Sequence, residues 1–291
     1  MTEALVVDLG TPVHVVDHGG AGPLTLLLHG LGGSAATWIT VADRLAATGR
    51  RVLAPDLAGF GITPPGDRGS GVEANAALVA DLVARFGEPA VLVGNSMGGL
   101  VALLAATRHP AAVAALVLVA PALPPTPRHL DPEVTVKLLG PLLPGLGAPA
   151  IRAYRATHDP ELETAETLAM CTARPEAIPE EARAALVEVN RLRRSLDWTV
   201  PAFVEADRSI ARWVLDRRRY RRLLHAVTQP TRVVCGAEDR LVPVASARWA
   251  AGERPDWDLV VLDDVGHLPM LETPDRFVEL VATWPPDRRA R

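Results

Sequence analysis

The stretch Val91-Leu92-Val93-Gly94-Asn95-Ser96-Met97-Gly98-Gly99 decides the fold of this chain. An apolar run typical of a buried strand precedes Ser96, and the helix-forming run Leu100–Leu104 follows it. Glycines on both sides let the chain turn sharply between strand and helix, which strains the serine backbone and holds its hydroxyl clear of the sheet edge. The alternative is a plain glycine-rich connection between buried elements. The pattern favours a nucleophilic serine.

Short β-branched or leucine-rich runs alternate with alanine-rich runs up to residue 123, which predicts alternating strands and helices. Leu5–Leu9 and Val13–Val16 form an opening hairpin. The predicted strands and helices that follow are Leu24–Leu28, a helix from Ser34 to Ala47, Arg51–Pro55, Val72–Phe86, Ala90–Gly94, Met97–Arg108 and Val113–Ala120. This order predicts an α/β protein with a mostly parallel, doubly wound sheet, whose ligand sits beyond the carboxyl ends of the strands.

The pattern changes at Pro121. From there to about Tyr220 prolines are frequent and no strand is predicted, so we expect a helical insertion over residues 121–220. Its predicted helices are Asp131–Leu139, Pro160–Thr172, Pro179–Trp198 and Pro201–Leu215. Alternation then resumes with Arg232–Gly236, Val244–Ala251, Leu259–Leu262 and Asp275–Thr283, so residues 1–120 and 221–291 form the predicted core.

Composition limits the classes of partner. The net charge of −4 provides no global positive field for nucleic acid or an anionic membrane. The basic run Arg217–Arg222 is interpreted as a solvated helix face or an edge that covers acidic neighbours, with binding of an anionic ligand as the alternative. The two cysteines are isolated, without metal-site or redox spacing. The N-terminus lacks the pattern of a signal peptide, and the longest nearly apolar stretch, Ala111–Leu123, is too short to cross a bilayer. We therefore expect a cytoplasmic protein.

A serine hydroxyl needs a base within hydrogen-bond reach to act as a nucleophile. Among eight histidines, His267 lies just past the last predicted strand, where the sheet edge can present it to Ser96. The base needs a carboxylate, and Asp239 follows the preceding strand, with Glu238 and Asp264 as competitors. The chain order Ser96, Asp239, His267 is the one expected for this topology. These three residues are the predicted catalytic set.

Two backbone N–H groups are expected to form an oxyanion hole. The N–H of Met97 lies at the start of a predicted helix, and the N–H of Leu31 lies in the loop His29-Gly30-Leu31-Gly32-Gly33 after a buried strand. Glycines around Leu31 let the backbone approach a ligand closely. We interpret His29 as a structural loop residue.

Together these residues resemble the α/β-hydrolase superfamily over about residues 10 to 285. The matching motifs are His29-Gly30-Leu31-Gly32-Gly33, Asp56-x-x-Gly59-x-Gly61, Gly94-x-Ser96-x-Gly98-Gly99, Gly236-x-x-Asp239 and Gly266-His267-x-Pro269. The resemblance implies the α/β-hydrolase fold, with residues 121–220 as a cap inserted after the sixth strand. It implies no metal and no organic cofactor.

Within the superfamily, Val93–Gly99 is similar to the branch that contains esterases and the hydrolases that cleave carbon–carbon bonds in ring-fission products. Epoxide hydrolases and haloalkane dehalogenases carry aspartate where this chain has Ser96. The ring-fission hydrolases usually carry tryptophan where this chain has Leu268. The resemblance implies a serine hydrolase that cleaves a carboxylic ester through an acyl-enzyme. A carbon–carbon bond hydrolase and a non-catalytic ligand receptor are the alternatives.

The expected partner is a small-molecule substrate, and the oligomeric state stays open. The predicted pocket residues are Trp38 and Phe60 from core loops, Tyr154, Trp198, Phe203 and Trp213 from the cap, and Leu268. Ordinary core or cap packing is the alternative for each aromatic. Because aromatic residues make up only 4% of the chain, we expect a largely aliphatic lining and an apolar substrate.

Overall fold

The computed structural model describes residues 2–126, 131–143 and 145–285. Its strands are β1 Glu3–Asp8, β2 Pro12–Asp17, β3 Leu24–Leu28, β4 Arg51–Pro55, β5 Ala90–Asn95, β6 Val113–Val119, β7 Thr231–Gly236 and β8 Asp258–Leu262. They form one sheet in the order β1-β2-β4-β3-β5-β6-β7-β8. The hairpin β1–β2 pairs antiparallel with β4, and strands β3 to β8 pair in parallel.

The helices surround this sheet and build the insertion. They are α1 Ala42–Ala47, α2 Val72–Phe86, α3 Met97–Arg108, α4 Pro132–Leu139, α5 Gly147–Thr157, α6 Pro160–Cys171, α7 Glu180–Arg193, α8 Thr199–Val214, α9 Arg217–Ala226, α10 Val244–Glu253, α11 Pro269–Glu272 and α12 Pro274–Ala282. Within the described parts of the chain, every helix is too short or too polar to span a bilayer.

The sheet separates two hydrophobic cores because side chains alternate across each strand. In β5, Ala90 and Leu92 face the core that contains α2, α3, α9 and α10, whereas Val91 and Val93 face the core that contains α1, α11 and α12. All four side chains are buried. Burial on both faces explains the continuous apolar run of the sequence. The predicted doubly wound α/β-hydrolase fold is confirmed.

One predicted core helix divides into two elements. Ser34 Oγ accepts the N–H of Ala36 (3.2 Å), but the turn that follows is a 3-10 helix over Ala35–Trp38, and α1 starts only at Ala42. The residues between them include three consecutive β-branched side chains, which lose rotamer freedom in a helix: Ile39, Thr40 and Val41. The prediction of one helix to Ala47 was wrong for this reason.

The insertion contains α4 to α8 and follows β6, the sixth strand, as expected. Helix α5 was not predicted. Its Pro149 lies in the first turn, where no N–H is needed. Pro201 lies in the first turn of α8 in the same way. The predicted helix to Trp198 ends at Arg193.

The arginine run belongs to α9, which crosses the predicted core–cap boundary at Tyr220. The Tyr220 side chain is buried, and its hydroxyl donates to the carbonyl of Ala122 (2.6 Å). Arg219 stacks on Trp213 at 3.6 Å. The domain bounds stay a prediction, and residues 1, 127–130, 144 and 286–291 of those ranges lie outside the described residues.

We predict that Trp38 stabilises the core. Its side chain is fully buried, with its ring centroid 6.1 Å from that of Phe277, so no ring surface is left for a substrate. The pocket role predicted for Trp38 was therefore wrong. Trp38→Ala should lower the free energy of unfolding by about 3–5 kcal/mol through the cavity it creates, measured by urea unfolding. A loss below about 1 kcal/mol would contradict this packing.

Candidate active site

Ser96 occupies a strained turn between β5 and α3. Its backbone has φ +52° and ψ −113°, which is rare for a residue with a side chain. Its N–H donates to the carbonyl of Val119 (2.9 Å), and its carbonyl accepts the N–H of Ala122 (2.9 Å). A Cβ at Gly98 would lie 2.2 Å from the carbonyl oxygen of Leu28, so only glycine fits there. The turn predicted from the glycine spacing is present.

His267 and Asp239 form a buried pair. His267 follows β8 and Asp239 follows β7, and His267 Nδ1 lies 2.7 Å from Asp239 Oδ2. The two residues are 3% and 5% exposed, respectively. The second carboxylate oxygen, Oδ1, accepts the N–H groups of Leu241 (2.8 Å) and Val242 (2.9 Å). This pairing leaves Nε2 as the imidazole nitrogen that can take a proton from a hydroxyl.

The structure separates Asp239 from its two competitors. The side chains of Glu238 and Asp264 are exposed, although both lie near His267 in sequence. Glu238 instead contributes its N–H to the carbonyl of Val265 (3.0 Å). Only the Asp239 carboxylate is placed against His267 among these three acids.

The loops that carry Ser96 and His267 are in direct contact. Asn95 Nδ2 donates to the backbone carbonyl of His267 (3.2 Å) and to that of Val119 (3.2 Å). A Cβ at Gly30 would lie 3.2 Å from Ser96 Cβ, so the loop after β3 abuts the same serine. Three segments distant in sequence therefore meet at the carboxyl edge of the sheet.

The two candidate oxyanion donors belong to Met97, directly after Ser96, and to Leu31, in the loop that abuts Ser96. Met97 is the first residue of α3, so its N–H needs no partner within the helix. Leu31 lies in the loop after β3, in a tight turn where the N–H of Gly33 donates to the carbonyl of Gly30 (3.0 Å). The assignment of both N–H groups to an oxyanion hole stays a prediction.

His29 is a rigid part of the loop that carries Leu31. Its Nδ1 lies 2.8 Å from the carbonyl oxygen of Gly30, and its Nε2 accepts the N–H of Leu57 (3.0 Å). These bonds assign the neutral Nδ1–H tautomer. Burial lowers the pKa of His29 and keeps the ring neutral. The geometry agrees with the interpretation of His29 as a structural residue.

Arg193 was missed by the sequence analysis and lies beside the same loop. This cap residue is 6% exposed, and its Nη1 donates to the carbonyl of Gly32 (2.5 Å) and to Asn190 Oδ1 (3.1 Å). Burial lowers the pKa of Arg193 to about 10, so the guanidinium stays charged at neutral pH. A positive charge from the cap thus holds the carbonyl one residue beyond Leu31.

Two of the predicted pocket residues lie beside the candidate site. Phe203 of α8 is half-buried, and its ring lies 3.3 Å from the position of a Cβ on Gly32. Leu268 is half-buried and follows His267 directly. Both present apolar surface next to residues 29–33 and 267.

Other predicted pocket aromatics pack elsewhere. Phe60 is 1% exposed, with its ring 5.6 Å from that of His29, and the Trp213 indole donates to Glu73 Oε1 (2.7 Å). The pocket roles predicted for Phe60 and Trp213 were wrong, because each ring is enclosed by core packing. Tyr154 stacks on His158 within the cap at 4.1 Å, and Trp198 is half-buried before α8. Neither Tyr154 nor Trp198 has a hydrogen bond or ring contact with Ser96 or His267.

Two grooves on the cap are separate from this site. They have volumes of about 410 and 510 Å³ and are lined by residues around α5 and α8.

In the part of the chain that is described, no group of three His, Cys, Asp or Glu side chains is arranged to hold a metal ion.

The fold and the turn at Ser96 define the class of α/β hydrolases. The sequence profile of the alpha/beta hydrolase family matches residues 25–280. The chain belongs to this family, and its similarity to esterases and hydrolases places it among hydrolytic enzymes.

Two curated relatives show the range of reactions among similar sequences. The chain is 33% identical over 267 residues to a pimeloyl-[acyl-carrier protein] methyl ester esterase of Aromatoleum aromaticum, covering 89% of this chain and 96% of that one. It is 29% identical over 293 residues to a 2-hydroxymuconate semialdehyde hydrolase of a Pseudomonas strain, covering 96% of this chain and 92% of that one.

Proteins with a similar structure include enzymes named for other reactions. A haloalkane dehalogenase of Agrobacterium tumefaciens superposes with a TM-score of 0.80 at 20% identity, covering 97% of this chain and 96% of that one. At this identity the likeness shows the fold alone. The reaction must therefore be argued from the site residues.

We predict that His29 makes stability depend on pH. Its pKa is lowered in the folded state, whereas an unfolded histidine titrates near about 6.5. The unfolded chain therefore binds more protons as the pH falls, and the stability present above about pH 6.5 is lost below it. Urea unfolding between pH 7.5 and 5.5 should show a flatter pH dependence for His29→Gln than for the wild type. Parallel pH profiles would contradict this assignment.

Proposed function

We propose that the protein is a serine hydrolase that cleaves a small, apolar carboxylic ester through an acyl-enzyme. The observation that carries this proposal is the buried His267–Asp239 pair, with the His267 carbonyl bound by Asn95, the residue before the strained turn at Ser96. A hydroxyl, an imidazole and a carboxylate in this order can share one proton transfer. The small-molecule substrate and the cytoplasmic location stay part of the proposal.

The proposed mechanism gives each of these groups one role. His267 Nε2 takes the proton of Ser96 as Oγ attacks the acyl carbon, and Asp239 stabilises the imidazolium through Nδ1–H. The N–H groups of Leu31 and Met97 hold the oxyanion of the tetrahedral intermediate. His267 then returns the proton to the leaving alcohol. Water, activated by the same imidazole, releases the acid and restores Ser96.

The apolar nature of the substrate is supported by the surfaces beside this site. Leu31, Phe203 and Leu268 each leave part of an apolar side chain accessible near the proposed nucleophile. The esterase relative at 33% identity also acts on an ester, as its name states. The first observation supports an apolar substrate, and the second favours ester hydrolysis as the reaction.

We predict that Ser96→Ala lowers kcat for ester hydrolysis by about 10⁴- to 10⁶-fold, because the nucleophile is lost. A panel of p-nitrophenyl esters graded by acyl length measures the effect and the preferred substrate together. Ser195→Ala is the matched control, since Ser195 is exposed on the cap, where its hydroxyl bonds the carbonyl of Leu192 (2.7 Å). Retention of most activity by Ser96→Ala would end the proposal.

The second candidate function is hydrolysis of a carbon–carbon bond in a ring-fission diketone. The similarity to the Pseudomonas hydrolase favours it, and Leu268 beside His267 is the departure from that group. Loss of the coloured dienolate on mixing with enzyme, without turnover of the ester panel, would select this reaction.

The third candidate is a ligand receptor without catalysis. A fluorophosphonate probe should label Ser96 if its hydroxyl is activated by His267. A probe that leaves Ser96 unlabelled, together with no turnover of either substrate class, would favour the receptor.

A further inference from the structure

Glu272, the last residue of α11, bridges the core and the cap. Its Oε1 accepts the N–H of Gly266 (2.9 Å), and its Oε2 accepts the N–H of Ala173 (2.8 Å). Gly266 directly precedes His267, and Ala173 follows the end of α6 in the cap. One carboxylate therefore binds the loop of the proposed base and a cap segment at the same time.

The backbone of the cap segment reinforces this contact. The N–H of His267 donates to the carbonyl of Cys171 (2.6 Å). A Cβ at Gly266 would lie 2.8 Å from the same carbonyl oxygen and 2.9 Å from the nitrogen of Ala173. A shift of residues 171–173 therefore either breaks these contacts or moves residues 266 and 267 as well.

The placement of Glu272 is costly and specific. The side chain is half-buried, and burial raises its pKa although backbone N–H groups act in the opposite direction. A carboxylate is tolerated in such a position when its oxygens are occupied by donors. Here each oxygen is used, one by the core loop and one by the cap. The Glu272 carboxylate thus restrains the backbone that carries the His267 imidazole.

Besides the bond from its N–H to the carbonyl of Cys171, three contacts restrain His267 and the peptide before it. Asp239 binds Nδ1 of His267, and Asn95 binds its backbone carbonyl. Glu272 binds the N–H of Gly266, the residue before His267, and also the N–H of Ala173 in the cap. An imidazole that must transfer a proton to and from Ser96 tolerates little displacement, since a shift of about 1 Å can cost about a hundredfold in rate.

We propose that Glu272 is a positioning residue for His267, which couples docking of the cap to placement of the base. The inference rests on the proposed function, because it assumes that His267 is that base. In this arrangement the cap shapes the catalytic geometry as well as covering the substrate. Movement of residues 171–173 would misplace the imidazole.

The test is Glu272→Gln in the full-length chain. The amide oxygen can accept one of the two N–H groups, whereas the amide nitrogen faces the other with its own hydrogens. We expect kcat for the best ester to fall about tenfold to a hundredfold. KM should stay within about twofold, because the apolar contacts with the substrate remain. Backbone hydrogen exchange at Gly266, His267 and Ala173 should accelerate at least about tenfold.

Glu279→Gln is the matched control, because Glu279 is exposed on the neighbouring helix α12. It should leave kcat and exchange at the three amides unchanged. Glu272→Ala removes both acceptors and should lower kcat at least as far as Glu272→Gln. If the alanine variant fails to fold, the glutamine variant alone carries the test.

Three results would overturn the proposal: wild-type kcat in Glu272→Gln, a lower kcat with unchanged exchange at the three amides, or faster exchange spread over the whole chain. Hydrogen exchange reports the bridge whether or not Ser96 is the nucleophile. Failure of the proposed function would appear separately, as ester hydrolysis that survives Ser96→Ala.

Discussion

The strained backbone at Ser96 is the constraint on which the site depends. A non-glycine residue at φ +52° costs about 1–3 kcal/mol and persists only where its surroundings hold it. Here β6 supplies the carbonyl of Val119, the next loop supplies the N–H of Ala122, and β3 closes against Gly98. The turn therefore exists only when these central parallel strands end at the same edge. That edge is also where the loops after β7 and β8 bring Asp239 and His267 together.

The polar groups at this edge are buried in a way that fixes their positions. Asp239 uses one oxygen for His267 and the other for two backbone N–H groups, and His29 uses both ring nitrogens. A buried network whose members all have partners is rigid, because breaking any bond leaves an unsatisfied group. His29 in this network holds the loop of Leu31, whose N–H is one of the proposed oxyanion donors, and preorganised donors stabilise developing charge without reorganising first.

Much of this arrangement was predictable because it follows from local pattern. The strands of the sheet and the helices that flank them follow from hydrophobic periodicity, and the turn at Ser96 follows from glycine spacing. The helical insertion follows from the loss of predicted strands after Pro121, and its place after the sixth strand follows from the family resemblance. Asp239 was preferred over Glu238 and Asp264 from its place after β7, and the structure puts only that carboxylate against His267. Asp239 could be chosen over the other two acids because the order of the strands predicts which loops lie next to each other.

The remaining features depend on tertiary packing, which sequence pattern does not record. Arg193 lies in a polar helical run and looks like a surface residue, yet docking of the cap buries it beside Gly32. Trp38, Phe60 and Trp213 were assigned to the pocket by residue type, whereas each fills a core or satisfies a polar neighbour. Glu272 bonds a residue 99 positions away in the chain, so no local signal could reveal its partner.

The most direct measurement is a crystal structure of the protein after reaction with a fluorophosphonate. The account predicts phosphorus bound to Ser96 Oγ, with the phosphoryl oxygen about 2.7–3.1 Å from the N–H nitrogens of Leu31 and Met97. His267 Nε2 should lie within hydrogen-bond distance of the Ser96 oxygen, with Asp239 still bound to Nδ1. Attachment to a different residue, or an adduct whose oxygen meets neither N–H group, would contradict the account.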